Sequence, residues 1–416
     1  MTLSENLSWR GFVNQTTYKD ITALDGDSIT FYLGVDPSAD SMTVGNLAVV
    51  MMVRHFIEAG HKAVLLVGGA TGMIGDPDGK KQERDLLTLE QIDTNKKAIA
   101  AQYKQVLAGQ DFELVDNYDW FKDIGYLEFL RDVGKHVPMR QMLGRDFIQS
   151  RLGDESAGIS YAEFSYSLIQ GYDFLHLHRK HGVSLQVCGA DQWGNSITGV
   201  ELIRRIAGDE AHVWSAPLVI NKATGVKFGK SEDGAVWLDE DKTSVYKFYQ
   251  FWLNVDDESV VELIKLYTLL SPEEITEVLA DFTIDKSSRK AQKTLAYEVT
   301  KIVHGQEKAD SVVRTTAALF GSGNYTELND KDFSNLKSEL PIANAKIGDE
   351  LITLLVSAGL ASSNSEARRF LEQGSIYLNG EQVAVERKIA AEDRLDGYHA
   401  IIRRGKNANA LLQISE

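Results

Sequence analysis

Residues 31–46 read F-Y-L-G-V-D-P-S-A-D-S-M-T-V-G-N, and this stretch decides the fold of the chain. Residues 31–35 are an apolar run typical of a buried strand, and glycine, aspartate and proline end it. Apolar residues at helical spacing follow from about 44 to 59, so Gly45 and Asn46 open a helix just beyond a strand's carboxyl end. Open α/β sheets bind ligands there, because free backbone N–H groups and the helix dipole favour an anion. An ordinary βα turn has the same pattern, so this stretch alone leaves both interpretations open.

The composition is that of an ordinary globular protein of two or three domains. The chain has 416 residues, of which 43% are hydrophobic and 25% charged. It contains no apolar run of about 18 residues and begins without a signal-peptide pattern, so we expect no membrane association. The single cysteine, Cys188, excludes an intrachain disulfide and favours the reducing cytoplasm. A net charge of −16 argues against non-specific coating of nucleic acid but leaves room for a local basic patch.

The order of elements predicts an α/β fold with a parallel sheet. A strand at 61–67 completes a βαβ unit with the opening stretch. The polar helical pattern of residues 85–155 is interpreted as an insertion between two halves of one sheet. The pattern then predicts a helix over 161–175, strands over 184–187 and 217–220, and a helix over 196–207.

The rest of the chain divides by pattern into a helical part and a small mixed part. We predict a first, Rossmann-like domain over 1–243, an α-helical domain over 244–320, a linker over 321–347 and an α+β domain over 348–416. The linker prediction depends on polar composition and weak patterning.

A glycine-rich turn offers one alternative function. Residues 67–75, V-G-G-A-T-G-M-I-G, resemble the cofactor turn of short-chain NAD(P) dehydrogenases, and Tyr297 and Lys301 have that family's Tyr-x-x-x-Lys spacing. A lone glycine fingerprint is weak, and the Tyr–Lys pair lies far downstream in a helical region. The other interpretation is a tight turn packed close to a helix.

Two lysines flank a glycine in the stretch K-F-G-K-S, residues 227–231. A cationic loop of this kind suits a polyphosphate, whose charge grows on the leaving group during transfer. The P-loop pattern G-x-x-x-x-G-K-[ST] is absent. A solvated surface turn is the other interpretation.

Polar residues also occur at one helical spacing. Tyr166, Gln170 and Asp173 share a face, which is either a solvated side or a pocket wall, and periodicity alone does not decide between them. Asp191 and Gln192 follow a strand, where such residues can bind a ribose hydroxyl.

Taken in order, these motifs resemble those of the bacterial tyrosyl-tRNA synthetases, a family of class I aminoacyl-tRNA synthetases. The resemblance rests on P-S-A-D-S-M-T-V-G-N, G-A-T-G-M-I-G-D-P, C-G-A-D-Q-W-G-N and K-F-G-K-S, and it spans nearly the whole chain. It also covers N-Y-D-W at 117–120, E-F-S-Y at 163–166 and Y-K-F-Y-Q-F-W at 246–252.

The resemblance implies a role for individual positions. The residues implied for the tyrosine site are Tyr32, Asp76, Asn117, Tyr166, Gln170, Asp173 and Gln192. Those implied for ATP are Gly34, Asp36, Gly45, Asp191, Leu218, Val219 and Lys230. The implied catalytic residues are Ser38, Thr43, Asn46, Lys80, Arg84, Lys227, Lys230 and Ser231.

The resemblance also implies the reaction and the partners. Tyrosine would react with ATP, carried with Mg²⁺, to give tyrosyl-adenylate and pyrophosphate, and the tyrosyl group would pass to the terminal ribose of tRNA(Tyr). The helical domain would face the anticodon side, and residues 348–416 resemble the S4 RNA-binding module. Its basic candidates are Arg368, Arg369, Arg403, Arg404 and Lys406. A homodimer is implied, with the insertion at its interface, and no protein metal site is expected.

The chain departs from the family pattern at four places. Thr43 replaces the first signature histidine and Asn46 the second, Ser38 stands for threonine, and Cys188 for glycine. The change at Thr43 leaves open an RNA-binding relative without aminoacylation activity. The intact Asp76, Asp173, Asp191 and lysine loop argue against that alternative.

Overall fold

The computed structural model describes residues 1–77, 86–144, 146–152, 158–222, 225, 227–231, 234–320, 325–405 and 408–415. Within these ranges, the side chains of seven residues lie outside the description: Gln141, Asp146, Phe147, Ser150, Lys230, Ser231 and Thr326. Two compact units make up the chain. Residues 1–243 with 252–295 form the first, and residues 244–251 with 296–416 form the second.

A largely parallel sheet organises the first unit. Its strands are β1 (Gln15–Thr16), β2 (Thr30–Val35), β3 (Lys62–Val67), β4 (Phe112–Asp116), β5 (Val183–Gly189) and β6 (His212–Ala216). They lie in the order β1-β6-β5-β2-β3-β4, and only the short β1 runs antiparallel to its neighbour. A small hairpin of β7 (Lys230–Ser231) and β8 (Gly234–Ala235) follows. The predicted Rossmann-like α/β fold is confirmed.

The strand order creates a cleft at the centre of this sheet. From β2 the chain adds β3 and β4 on one side, and β5 and β6 then occupy the other side. Tyr32 on β2 lies between Val64 on β3 and Gln186 on β5. In a doubly wound sheet, the carboxyl ends of the strands at such a reversal leave room for a ligand.

Helices cover the sheet of the first unit. They are α1 (Leu3–Arg10), α2 (Val44–Glu58), α3 (Leu89–Val106), α4 (Tyr118–Phe121), α5 (Tyr126–Asp132), α6 (Met139–Leu143), α7 (Asp146–Arg151), α8 (Tyr161–His181) and α9 (Trp193–Leu202). Further along the chain lie α10 (Val245–Leu253), α11 (Val260–Tyr267), α12 (Pro272–Ile284) and α13 (Lys290–His304), of which α10 and α13 are divided between the two units. No helix among the described residues combines the length and hydropathy that a bilayer span requires.

Local sequence signals define both ends of α8. Ser160 and Glu163 form a capping box at its start, and Gly182 ends it in the left-handed region at φ 67°. Tyr166, Gln170 and Asp173 lie on this helix and line the cleft. Its apolar residues Phe174 and Leu177 pack against Tyr32 and Val64 of the sheet.

The second unit combines helices with a five-stranded sheet. Its helices are α14 (Gln306–Leu319), α15 (Asp330–Glu339), α16 (Leu351–Ser357) and α17 (Asn364–Glu372). Its strands are β9 (Ile342–Lys346), β10 (Ile376–Leu378), β11 (Glu381–Gln382), β12 (His399–Arg404) and β13 (Ala408–Ser415), ordered β11-β10-β12-β13-β9. One face of this sheet packs against α16 and α17, and Ile401 and Leu411 on the other face join Phe333 and Leu336 of α15.

The prediction of a strand at 217–220 is wrong. The strand is β6, and residues 217–219 follow it without regular structure. Pro217 has no N–H to continue the ladder, and Leu218 and Ile220 are exposed, which their apolar sequence does not reveal.

Two other sequence interpretations also differ from the structure. The proposed insertion at 85–155 contains α3 and β4, and β4 pairs in parallel with β3 as a regular part of the sheet. The proposed linker at 321–347 contains α15 and β9, and β9 pairs with β13. The sequence did not predict α15, because its only apolar residues are the buried Phe333 and Leu336, and two residues give too little periodicity to indicate a helix.

Candidate active site

A cavity of about 400 Å³ opens at the carboxyl ends of β2 and β5, beside the start of α2. Most of the residues predicted for the tyrosine, ATP and catalytic sites line it. These are Tyr32, Gly34, Asp36, Ser38, Thr43, Gly45, Asn46, Asp76, Tyr166, Gln170, Asp173, Asp191, Gln192, Leu218, Val219 and Lys227. The polar stripe on α8 is therefore a pocket wall.

Asp173 is a buried carboxyl group with both oxygens engaged. Asn117 Nδ2 donates to Oδ2 at 3.1 Å, and Trp120 Nε1 donates to Oδ1 at 2.9 Å. Burial raises the pKa of Asp173 well above its usual range, against the opposing effect of these two hydrogen bonds. Asn117 therefore reaches the cavity through Asp173, and its own Oδ1 accepts from the Ala70 N–H at 2.7 Å.

Two further hydrogen bonds orient the middle of the cavity. The Tyr166 hydroxyl donates to Asp36 Oδ2 at 2.7 Å, which leaves the lone pairs of the phenol oxygen for another donor. Burial raises the pKa of Tyr166, and the nearby Asp36 adds to that effect. Gln192 Nε2 donates to Asp76 Oδ2 at 2.5 Å. Two carboxylates, an amide and a phenol thus line a part of the cavity that a cationic donor fits.

Three buried polar atoms around the cavity lack a hydrogen-bond partner among the described residues. They are Tyr32 Oη, Gln170 Oε1 and Gln186 Oε1. A buried polar atom without a partner costs about 1–3 kcal/mol. A ligand that supplies the missing hydrogen bonds removes this cost. The three atoms therefore favour a polar group on an otherwise buried ligand.

The start of α2 holds Thr43 and Asn46 in one arrangement. Asn46 Oδ1 accepts from the Thr43 backbone N–H at 3.0 Å and from the Thr43 hydroxyl at 2.9 Å. A backbone N–H can only donate, so the atom that faces it must be the amide oxygen. The Thr43 hydroxyl has consequently used its single proton, and the Asn46 amide nitrogen points away from Thr43.

The glycine turn accommodates carboxylates of the protein. A Cβ at Gly68 would lie 2.7 Å from Asp36 Oδ1, and one at Gly69 would clash with Asp116 Oδ1. The Gly69 N–H also donates to Asp116 Oδ1 at 3.0 Å. Carboxylate groups of the protein therefore lie against this turn, which is unfavourable for a dinucleotide phosphate, and the Tyr297 hydroxyl donates to Asp310. This geometry argues against the dehydrogenase interpretation.

The lysine loop also lines the cavity, whose floor we define by Tyr32, Asp173 and Gln186. Lys227 is exposed at the cavity and forms a β-bridge with Ile220. The structure describes the backbone of Lys230 and Ser231 in β7. Lys80 and Arg84 lie outside the described residues, as does Lys406.

Cys188 projects into the cavity next to the pocket floor. It is 3% exposed and accepts a weak hydrogen bond from the Ser196 hydroxyl at 3.5 Å. Burial raises the pKa of the Cys188 thiol to about 12, so the group is neutral and acts by its size.

The predicted basic residues of the second unit separate onto two faces of the sheet. Arg404 and Arg369 approach the same ring, Phe370, at 4.9 and 5.4 Å, and Arg368 neighbours them on α17. Arg403 lies over Tyr377 at 4.4 Å on the opposite face, because adjacent residues of a strand point in opposite directions. The arginines therefore do not form a single basic surface.

Comparisons with known proteins match the whole length of the chain. The family model for class I tRNA synthetases of the tryptophan and tyrosine group matches residues 24–321. A second model, for the C-terminal domain of tyrosine–tRNA ligases, matches residues 332–412. The tyrosine–tRNA ligase of Geobacillus stearothermophilus is 44% identical over 99% of this chain and 100% of its own length. The chain belongs to the tyrosyl-tRNA synthetase family. A tyrosine–tRNA ligase from Staphylococcus haemolyticus is also 44% identical, over 97% of each chain.

Solved structures of this family share the fold. A C-terminally truncated mitochondrial tyrosyl-tRNA synthetase of Aspergillus nidulans covers 77% of this chain and 94% of its own, with a TM-score of 0.69 and 30% identity. The predicted family is thus confirmed.

Sequence reasoning missed three residues of the site. Trp120 holds Asp173, Thr71 accepts from Asn117 Nδ2 at 3.1 Å, and Gln186 lines the floor. The signal for Gln186 was present, because a glutamine inside the apolar strand V-S-L-Q-V-C must have a polar purpose. The roles of Trp120 and Thr71 depend on contacts across the fold.

Proposed function

We propose that the chain ligates L-tyrosine to tRNA(Tyr) in two steps at this cavity. Tyrosine first reacts with ATP to give tyrosyl-adenylate and pyrophosphate, and the tyrosyl group then passes to the 3′-terminal ribose of the tRNA. One observation carries the proposal: the buried Tyr32 Oη has no partner among the described residues and lies at a floor that also holds Asp173. A phenol hydroxyl on a buried ligand can satisfy both groups.

The hydrogen bonds around the cavity support our assignment of the tyrosine-binding residues. Tyr32 and Asp173 bind the phenol hydroxyl, and Asn117 and Trp120 hold Asp173 in place. The substrate ammonium binds where the lone pairs of Tyr166 meet the orphaned Gln170 Oε1 and the Asp76 carboxylate. Gln192 lies near the substrate carboxylate.

The ATP end uses the other half of the cavity. Gly34, Asp36 and Asp191 border the ribose, and Leu218 and Val219 the adenine. Gly45 and Asn46 lie at the start of α2, where backbone N–H groups and the helix dipole attract the triphosphate, and Ser38 lies in the loop between β2 and α2. We assign Lys227, Lys230 and Ser231 of the lysine loop to the pyrophosphate, together with Lys80 and Arg84, which we assign on resemblance alone.

Mg²⁺ travels with the triphosphate in this proposal. The cavity offers carboxylates, which suit Mg²⁺, but Asp36 and Asp76 already accept hydrogen bonds from Tyr166 and Gln192. We therefore assign the ion to the phosphates, where it neutralises charge on the pyrophosphate.

The chemistry requires positioning and charge stabilisation. An oxygen of the tyrosine carboxylate attacks the α-phosphorus of ATP, and the bond to pyrophosphate breaks. The ribose hydroxyl of the tRNA then attacks the tyrosyl carbonyl, and AMP leaves. Neither step needs a protein nucleophile, because the substrate supplies one each time. Donors fixed around the phosphates stabilise the charge that develops on them.

The segment between β4 and α8 fits the proposed homodimer interface. Several of its apolar side chains are more than half exposed, namely Tyr126, Leu127, Met139 and Leu152, as is Tyr161 at the start of α8. The hydroxyls of Tyr126 and Tyr161 lie 3.4 Å apart, so these two rings adjoin. Exposed apolar residues of this kind favour a partner surface. The buried single cysteine supports our assignment of the protein to the cytoplasm.

Tyrosine-dependent exchange of pyrophosphate into ATP tests the first step. We expect exchange with tyrosine and none with the other amino acids, and charging of tRNA(Tyr) when the tRNA is added. An RNA-binding relative without activity would bind tRNA but fail both assays. Exchange without charging would confine the proposal to adenylate formation.

Substitution of Asp173 tests the specificity of the pocket. Asp173→Ala removes the acceptor that distinguishes tyrosine from phenylalanine, so the ratio of their kcat/KM values in exchange should fall by about 10- to 100-fold. Asp191→Ala, at the ATP end, serves as the control and should lower activity with both amino acids equally. An unchanged ratio in Asp173→Ala would contradict the assignment.

A further inference from the structure

The lysine loop and the start of α2 are joined by backbone hydrogen bonds. The Val236 N–H donates to the Gly229 carbonyl at 2.9 Å, and the Val44 N–H donates to the Val236 carbonyl at 3.1 Å. The Leu238 N–H donates to the Met42 carbonyl at 2.9 Å. The segment that follows the loop therefore runs directly against the first residue of α2.

Gly229 brings the loop itself onto α2. Its φ of 98° lies in the left-handed region, which strains residues with a side chain. A Cβ there would also lie 2.7 Å from Val44 Cγ2. The close approach thus requires glycine, and it sets the distance between the loop and the helix.

The side chain of Phe228 inserts into an aromatic cluster beneath the loop. Phe228 is 9% exposed, and its ring centroid lies 5.4 Å from Trp252 and 6.1 Å from Tyr267. The rings of Trp252 and Tyr267 lie 4.7 Å apart. This cluster of three rings, all within the first unit, anchors the residue between the two loop lysines.

Tyr267 connects this cluster to α2. Its side chain is fully buried, and its hydroxyl donates to the Val44 carbonyl at 3.0 Å. The ring of Tyr267 therefore supports the lysine loop while its hydroxyl holds the first turn of α2, on which Asn46 is carried.

We propose that Tyr267 is a positioning residue for adenylate formation, which it promotes by fixing the lysine loop relative to the start of α2. The inference rests on the proposed function, in which both elements grip one triphosphate. A transition state held from two sides is sensitive to their separation, and a displacement of about 1 Å can cost about 100-fold in rate. Tyrosine binds at the other end of the cavity and should be insensitive to Tyr267.

Tyr267→Phe removes the hydroxyl and keeps the ring. We expect single-turnover adenylate formation by the full-length protein to slow about tenfold, while the Kd of tyrosine changes by less than about twofold. Tyr103→Phe is the matched control, because Tyr103 is also fully buried and its hydroxyl has no partner among the described residues. That variant should keep the rate of the unaltered protein.

Phe228→Leu provides a second measurement should Tyr267→Phe fail to fold. Phe228→Leu should also slow adenylate formation. The double variant, Tyr267→Phe with Phe228→Leu, should be no slower than the slower of the two single variants, because both substitutions act through the same aromatic cluster. A normal rate in Tyr267→Phe, an equal loss in Tyr103→Phe, or multiplicative effects of the two substitutions would overturn the inference alone. Absence of tyrosine-dependent exchange in the unaltered protein would overturn the proposed function and the inference together.

Discussion

The arrangement of Thr43 and Asn46 changes the role that the sequence predicts for Thr43. A threonine in place of a signature histidine would be expected to donate to the phosphate, but its hydroxyl donates to Asn46 Oδ1 in this structure. Each hydroxyl has one proton, so that bond leaves Thr43 only acceptor capacity. We infer that Thr43 orients the Asn46 amide and that the Asn46 nitrogen donates to ATP.

Asn46→Asp separates this role from helix capping. Aspartate still accepts both hydrogen bonds from Thr43, so the melting temperature should not fall. The donor is replaced by a negative charge, and adenylate formation should slow by about 10²- to 10³-fold in pre-steady-state assays. Thr43→Ser keeps the hydroxyl and should retain the rate. A rate loss in Thr43→Ser that matches Asn46→Asp would contradict the orienting role.

His55 on α2 predicts a pH dependence of stability. Burial lowers the pKa of His55 below its usual value of 6.5, with opposing effects of Glu58 and reinforcing effects of Arg10 and Arg54. Below about pH 6.5 the unfolded chain therefore binds a proton that the folded chain refuses, and stability falls as the pH falls. In His55→Phe the difference in melting temperature between about pH 7.5 and 5.5 should shrink. An unchanged difference in melting temperature would show that other groups determine the loss of stability at low pH.

At the scale of elements, α8 carries three of the seven residues that we assign to tyrosine, and a buried ion pair holds the start of this helix. Arg151 on α7 and Glu163 on α8 form a bidentate pair at 2.8 and 2.9 Å, and their side chains are 5% and 3% exposed. Arg151 Nε also donates to the Gly158 carbonyl at 2.8 Å. Loss of one partner would leave an uncompensated charge in the interior.

Arg151→Met should lower the free energy of unfolding of the first unit by about 3–5 kcal/mol. Arg131→Met is the control, because Arg131 pairs with Asp132 at the surface, with side chains 69% and 49% exposed, and should change it by less than about 1 kcal/mol. Urea unfolding followed by tryptophan fluorescence measures both. Equal losses in the two variants would show that the buried pair is not what fixes α8.

At the scale of the whole molecule, the second unit is the part we assign to tRNA. Arg368 and Arg369 are exposed on α17, and Arg404 stacks beside them on Phe370. Truncation near residue 347 does not test this assignment well. It would remove β13, the partner of β9, and would remove Ile401 and Leu411 from the core that contains Phe333. Substitutions of the exposed Arg368 and Arg369 leave that core intact.

Arg368→Glu combined with Arg369→Glu should raise the KM for tRNA by at least about tenfold and flatten its salt dependence, since two phosphate contacts are lost. The exchange of pyrophosphate into ATP should stay unchanged. Lys337→Glu, on the exposed side of α15, is the control for charge reversal in the same unit. Charging that falls as much with Lys337→Glu would contradict a specific role for α17.

Periodicity and motif order predicted the elements that lie near the site. The pattern of apolar residues along an element depends on whether one face or both faces of that element are buried. For this reason β2, α2, β5 and α8 could be predicted from the residues within each element. Two surface segments were predicted wrongly for the same reason. Residues 217–220 are apolar but exposed in part and do not form a strand, and α15 buries only two apolar residues.

The sequence by itself determined the family, the parallel sheet and most of the residues that line the cavity, because these depend on residue type at short spacing. Only the tertiary structure decided which atoms those residues use. It turned the Thr43 hydroxyl to Asn46, filled the glycine turn with Asp36 and Asp116, and placed Arg403 and Arg404 on opposite faces of one sheet. Hydrogen bonds and close packing depend on distances of a few ångströms between elements, and such distances arise only when remote parts of the chain pack together.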